Sequence, residues 1–147
     1  MKCEELMTKH PICCVPDDTA QTAAQLMRDQ DIGPLPVVVA GNNRILIGIL
    51  TDRDLAIRVV AEALDPATTQ VKDIMTSGAI CCRFDDDLRE ALHAMEHHQL
   101  RRIPVVNHNE EILGIIAQAD VATRLQSAPH TAEVVEEISK SRAAVAN

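Results

Sequence analysis

The chain is written twice. Displaced by 68 residues, Leu6-Met7-Thr8 falls on Ile74-Met75-Thr76, and Ile12-Cys13-Cys14 falls on Ile80-Cys81-Cys82. Asp17-Asp18 falls on Asp85-Asp86, Met27 on Met95, and Pro36-Val37-Val38 on Pro104-Val105-Val106. A two-residue insertion near 41–44 then changes the offset to 66, placing the run 46–50 on 112–116 and Asp54 on Asp120. A duplicated chain folds as two versions of one unit, which constrains the architecture more than any composition figure.

Each copy has the same order of elements. A β-like stretch opens it (12–15; 80–83). Asp residues then start a helical pattern. Asp18-x-x-Gln21 reads as a capping box, with Ala23, Ala24 and Met27 as an apolar stripe. Asp87-x-x-Glu90 does the same in the second copy, with Leu88, Ala91, Leu92 and Met95. A β-branched strand (36–39; 103–106), a polar turn and a second strand (45–50; 112–116) read as a hairpin. A helix closes each copy (52–64; 118–126). The expected boundaries are a first domain at 1–64, a linker at 65–70 and a second domain at 71–126. A tail at 127–147 carries an amphipathic helical pattern at 131–142. The order β-α-β-β-α, twice, implies an α+β fold. So few residues per copy suggest that the sheets pack against each other.

Composition excludes several functions. The formal net charge is −8, a poor match to phosphate-backbone binding. Phe84 is the only residue among Phe, Trp and Tyr, so platforms for stacking single-stranded bases are missing. No apolar run approaches the roughly twenty residues of a membrane span. The start, Met1 to Pro11, lacks the apolar core of a signal peptide. A cytoplasmic protein with no nucleic-acid or membrane partner is expected, with its five cysteines reduced.

The residues Gly48-Ile49-Leu50-Thr51-Asp52-Arg53-Asp54 match Gly-x-x-Thr/Ser-x-x-Asp, the ribose-binding signature of CBS domains. His98-Gln99-Leu100-Arg101-Arg102-Ile103-Pro104-Val105-Val106 resembles the family's Arg-Arg-Ile-Pro-Val segment, and residues 7–19 resemble its opening strand. The resemblance covers about residues 3–126. It is to stand-alone CBS pairs (Bateman modules), of the small bacterial hypoxic-response type. It implies tandem CBS domains related by pseudo-twofold symmetry, a homodimer, and an adenine nucleotide held between the copies as a regulatory ligand. No cofactor is required, and an unidentified regulated protein is implied.

In that family the ribose carboxylate comes from one copy, and base and phosphate contacts come largely from the other. The resemblance therefore implies a first cleft of Thr51, Asp54, Thr76, Ile80, Cys81, Leu100, Arg101 and Arg102. An ionised carboxylate accepts from two ribose hydroxyls, and adjacent guanidiniums suit a phosphate. The second cleft would join Thr8, Ile12, Cys13, Ile32, Gly33, Pro34 and Asp120, with Arg53 as the nearby cation. Here the pattern is broken: Ala117 replaces the Thr, and Gly33-Pro34 replace the Arg pair. One competent and one weak cleft are expected. Cys13 and Cys81 are implied to face the clefts, while Cys14 and Cys82 fall where a buried Val is usual.

Three other readings remain open at this point. Thr51-x-x-Asp54 is itself a capping box and needs no ligand. A purely structural interaction module would leave both clefts vacant. A metal- or redox-responsive protein would use the cysteines, or the helical stripe Glu90, His93, His97. Against a metal, adjacent strand residues point to opposite faces, and the Cys-x-x-Cys spacing of zinc sites is missing. Enzyme motifs are also missing: no Gly-x-Ser-x-Gly elbow, Gly-rich phosphate loop or His-Glu-x-x-His occurs.

Overall fold

The computed structural model describes residues 1–124. The predicted helix at 131–142 lies outside them. Fourteen elements run in the order α1 (Cys3–Leu6), β1 (Thr8–Lys9), α2 (Ala20–Gln30), β2 (Leu35–Val38), β3 (Leu46–Leu50), α3 (Asp52–Leu55), a π-helical segment (Ala56–Val60), α4 (Val71–Ile74), β4 (Thr76–Ser77), β5 (Cys82–Arg83), α5 (Leu88–His97), β6 (Arg102–Val106), β7 (Ile112–Ala117) and α6 (Gln118–Arg124).

Two compact units result, and neither coincides with one repeat. The three-stranded unit comprises Ile12–Ala79 and Asn109–Ile112, with sheet order β2-β3-β4. The four-stranded unit comprises Met1–Pro11, Ile80–His108 and the described residues from Leu113 on, with sheet order β1-β7-β6-β5. Each unit therefore takes the opening segment of the other repeat. β4 pairs antiparallel with β3, setting Thr76 opposite Ile49 and Ser77 opposite Gly48. β1 pairs antiparallel with β7, setting Thr8 opposite Ile115 and Lys9 opposite Gly114.

Glycine makes the exchange possible. A Cβ at Gly48 would lie 2.7 Å from the Thr76 carbonyl oxygen. A Cβ at Gly114 would lie 2.7 Å from both the Thr8 carbonyl oxygen and the Met7 sulfur. Any side chain there would push the incoming strand away.

The predicted stripe of α5 is buried whole, whereas on α2 Ala24 is exposed and Ala20 takes its place in the core. Ala20, Ala23 and Met27 of α2 are buried, as are Leu88, Ala91, Leu92 and Met95 of α5. Each apolar side chain of Leu or Met size removed from water contributes about 1.5–3 kcal/mol. Asp87 caps α5, but its carboxylate accepts from the Arg89 N–H at 2.9 Å and does not close the predicted box with Glu90. Asp18 does not cap α2. Its carboxylate accepts instead from the Val15 N–H at 3.0 Å, and Thr19 takes the cap, accepting from the Thr22 N–H at 3.1 Å. A shorter side chain one residue later reaches the helix amide better than a carboxylate already engaged behind it.

Both helices end in the same left-handed turn without glycine. Asp31 has φ 52° and Gln99 has φ 54°. The Ile32 N–H reaches Met27 O at 3.0 Å, and the Leu100 N–H reaches Met95 O at 2.8 Å. These are the six-to-one bonds of a Schellman stop.

Other expectations shift. The opening strand at 12–15 reduces to one parallel bridge, Cys14 to Val37. Its counterpart reduces to Cys82–Arg83, paired parallel with β6. The closing helix predicted at 52–64 becomes α3 followed by the π-helical segment, which ends at Val60. The linker is not a free tether: Ala20 N–H donates to Thr69 O at 2.8 Å and Gln21 N–H to Pro66 O at 3.0 Å. Among the described residues no helix is long and apolar enough to cross a membrane.

Candidate functional site

The three-stranded unit builds its polar centre at the end of β3. The chain leaves Leu50 extended, Thr51 adopts φ −113° and ψ 163°, and α3 starts at Asp52. The capping box is closed: the Asp54 N–H donates to Thr51 Oγ1 at 3.2 Å, and the Thr51 N–H donates to Asp54 Oδ2 at 2.9 Å. Asp54 Oδ1 points the other way, 3.9 Å from Arg58 Nε. The Asp54 side chain is 15% exposed, so solvent or a ligand still reaches it.

Arg58 is a residue the sequence reading passed over. Its Nη1 donates to the carbonyls of Ile74 and Met75, both at 3.1 Å. It thus ties α3 and the π-helical segment to the segment that carries Thr76. Its signal was present as the i, i+4 spacing from Asp54. Thr76 is exposed and sits opposite Ile49, two residues before Thr51. The repeat boundary separates Thr76 from Thr51 and Asp54 in sequence; strand exchange returns it to their unit.

The four-stranded unit offers the basic pair. The Schellman stop after α5 leads directly into Leu100, half-buried, and Arg101 and Arg102, both exposed. The Gln118 N–H donates to Arg101 O at 2.8 Å, which fixes the pair beside the start of α6 and Asp120. Thr8, exposed, lies opposite Ile115 in the same unit. The equivalent place in the three-stranded unit has the opposite character. There Gly33 abuts the Asp52 carboxylate, 3.5 Å from where its Cβ would stand. One unit carries two exposed arginines at this place, and the other sets a carboxylate beside a glycine.

The first predicted set is thus divided between units, with Thr51, Asp54 and Thr76 in one and Ile80, Cys81, Leu100, Arg101 and Arg102 in the other. The second set is divided likewise, with Ile12, Cys13, Ile32 and Arg53 in the three-stranded unit and Thr8 and Asp120 in the four-stranded unit.

The cysteines alternate as strand geometry requires. Cys14 and Cys82 are buried, Cys13 is half-buried and Cys81 is exposed. Burial pushes the Cys14 thiol up to about 12. Burial also raises Cys13, against the pull of Arg44, whose Nη2 donates to its sulfur at 2.9 Å. Among the described residues no three His, Cys, Asp or Glu side chains lie close enough together to hold a metal ion. Glu90, His93 and His97 thus assemble no such centre; His93 instead faces Glu96 at 3.6 Å.

The CBS domain family model matches residues 3–61 and 71–127. The chain belongs to the CBS-domain family. This CBS pair is 36% identical over 121 residues to hypoxic response protein 1 of Mycobacterium tuberculosis, covering 82% of each chain. It superposes on the crystal structure of Hypoxic Response Protein I with two coordinated zinc ions with a TM-score of 0.76 and 34% identity. That match covers 85% of this chain and 99% of the other. The described residues here do not assemble the donor set that such an ion needs. The fold is shared with a CBS domain protein of Pyrobaculum aerophilum, PAE2072, complexed with AMP. The TM-score is 0.74 at 23% identity, covering 87% of this chain and all of that one.

Proposed function

We propose that this CBS pair is a non-catalytic regulatory module that binds an adenine nucleotide with residues drawn from both repeats. The observation that carries the reading is Asp54. It is anchored through one carboxylate oxygen at a helix N-terminus, its other oxygen is held by a loose ion pair, and it shares its unit with Thr76. A carboxylate so oriented accepts from vicinal ribose hydroxyls. The AMP complex of a protein with the same fold supports the ligand class. Arg101 and Arg102 supply the phosphate donors, and Cys81 and Ile80 supply aliphatic and thiol contact for a base in a chain nearly devoid of aromatics.

Only one competent site is proposed. The second set has no counterpart of the Arg pair, and the Asp52 carboxylate beside Gly33 opposes a phosphate. The working form is a cytoplasmic homodimer. An exposed apolar row on the three-stranded unit, Ile57, Val60 and Leu64, with Val60 76% exposed, supports burial against a second copy. Nucleotide binding then shifts the population of module conformations, and a regulated protein reads the shift.

A thermal-shift panel tests the reading. AMP, ADP, ATP, S-adenosylmethionine or NAD at a hundred times its Kd stabilises the folded state by about 2.7 kcal/mol, several degrees of melting temperature. No shift with any of them favours an interaction module with vacant sites.

A further inference from the structure

The repeat supplies an internal comparison. In the three-stranded unit the buried strand cysteine is Cys14, and the incoming segment packs Val71 into the same core. In the four-stranded unit the equivalent strand residue is Cys82, and the residue equivalent to Val71 is Cys3. The site therefore accepts a thiol against an aliphatic side chain. Packing alone does not require the second sulfur that Cys3 provides.

The two sulfurs meet. Cys3 is fully buried and Cys82 is 6% exposed, and their side chains share a hydrogen bond. Backbone bonds fix the approach, with Cys3 N–H donating to Asp86 O at 3.0 Å and Glu4 N–H donating to Phe84 O at 3.0 Å. Cys82 also reaches the Pro104 carbonyl at 3.7 Å. We propose that Cys3 and Cys82 are an oxidisable thiol pair whose disulfide fastens the N-terminal segment to the four-stranded unit, the co-reactant being a low-molecular-weight disulfide.

Cys82 beside it lowers the Cys3 thiol against its burial, and Cys3 lies near the chain end, the segment that opens most readily, so Cys3 is the attacking sulfur. Its thiolate attacks one sulfur of the small disulfide. That S–S bond breaks and a small thiolate leaves. Cys82 is raised first by its bond to Cys3, and that cause disappears once Cys3 is derivatised. Cys82 then loses its proton and attacks the Cys3 sulfur, and the second small thiolate leaves. Two protein thiols are oxidised, and one small disulfide is reduced to two thiols. Entry needs only local opening of the N-terminal segment, the kind of fluctuation that chain ends undergo most readily.

The test uses the full chain with exposed Cys81→Ser, so that a tryptic fragment spanning 73–83 carries one cysteine. After equilibration with oxidised glutathione, alkylation and digestion, fragments containing Cys3 and Cys82 are expected to be joined. The melting temperature is expected to rise by about 5 °C and to return on reduction. Cys3→Val, which copies the packing at Val71, is expected to abolish the joined fragment. Recovery of Cys3 and Cys82 as separate alkylated or glutathionylated fragments would overturn the proposal. So would a joined fragment that lowers the melting temperature, or one formed between two chains.

Discussion

At the scale of the residue, two positions carry the clearest consequences. Gly114 sits where a Cβ would collide with the Thr8 carbonyl and the Met7 sulfur. Gly114→Ala is expected to cost about 2–4 kcal/mol in urea unfolding, and a cost under about 0.5 kcal/mol would contradict the close approach. Cys14 carries a pH signature. Its folded value of about 12 lies above the ordinary thiol range, so the folded state holds the proton longer than the unfolded chain does. Its contribution is full below about pH 8.5 and is lost as pH climbs toward 12. Cys14→Val is therefore expected to flatten the alkaline fall of stability, measured by unfolding at pH 8 and pH 10. The alternation of Cys13 with Cys14, and of Cys81 with Cys82, was legible in the sequence because strand residues alternate. The contact between Cys3 and Cys82 was not, because it depends on which repeat receives the N-terminal segment.

At the scale of the element, the long helices were legible and their punctuation was less so. The stripe of α5 is buried as its helical period predicts, and that of α2 keeps Ala23 and Met27 but exchanges the exposed Ala24 for Ala20. The start of α2 moved from Asp18 to Thr19 because the Asp18 carboxylate serves Val15. The helix after β3 was read as regular because periodicity does not distinguish a π-helical turn. That turn, Ala56–Val60, contains Arg58, in keeping with the tendency of π-turns to fall at functional places. Arg58→Gln removes two bonds to the Ile74 and Met75 carbonyls and the ion pair to Asp54. A loss of about 1–3 kcal/mol is expected, with faster amide exchange across 71–77. Unchanged exchange there would show that Arg58 does not hold the segment.

At the scale of the whole molecule, duplication told the number of units but not their membership. The offsets assign residues 71–79 to the second copy; the fold places them in the three-stranded unit, where Val71 and Ile74 are core residues. A fragment of residues 1–70 therefore lacks part of its own core and is expected to show no cooperative unfolding by circular dichroism; a sharp transition would contradict this assembly. The same exchange explains why the candidate site was only half legible. Thr51-x-x-Asp54 could be read from its motif, and Arg101 and Arg102 from theirs. That Thr76 joins the Asp54 unit, while Thr8 joins the Asp120 unit, follows from strand pairings that no local pattern encodes. The asymmetry between the units, an exposed arginine pair in one and a carboxylate beside Gly33 in the other, predicts that Asp54 and Asp120, the two proposed ribose carboxylates, are unequal. Calorimetric titration of AMP into the intact protein, Asp54→Ala and Asp120→Ala tests this most directly. The expected result is one AMP per chain, lost with Asp54→Ala and kept with Asp120→Ala. Binding that survives Asp54→Ala but vanishes with Asp120→Ala, or no binding by the intact protein, would contradict it.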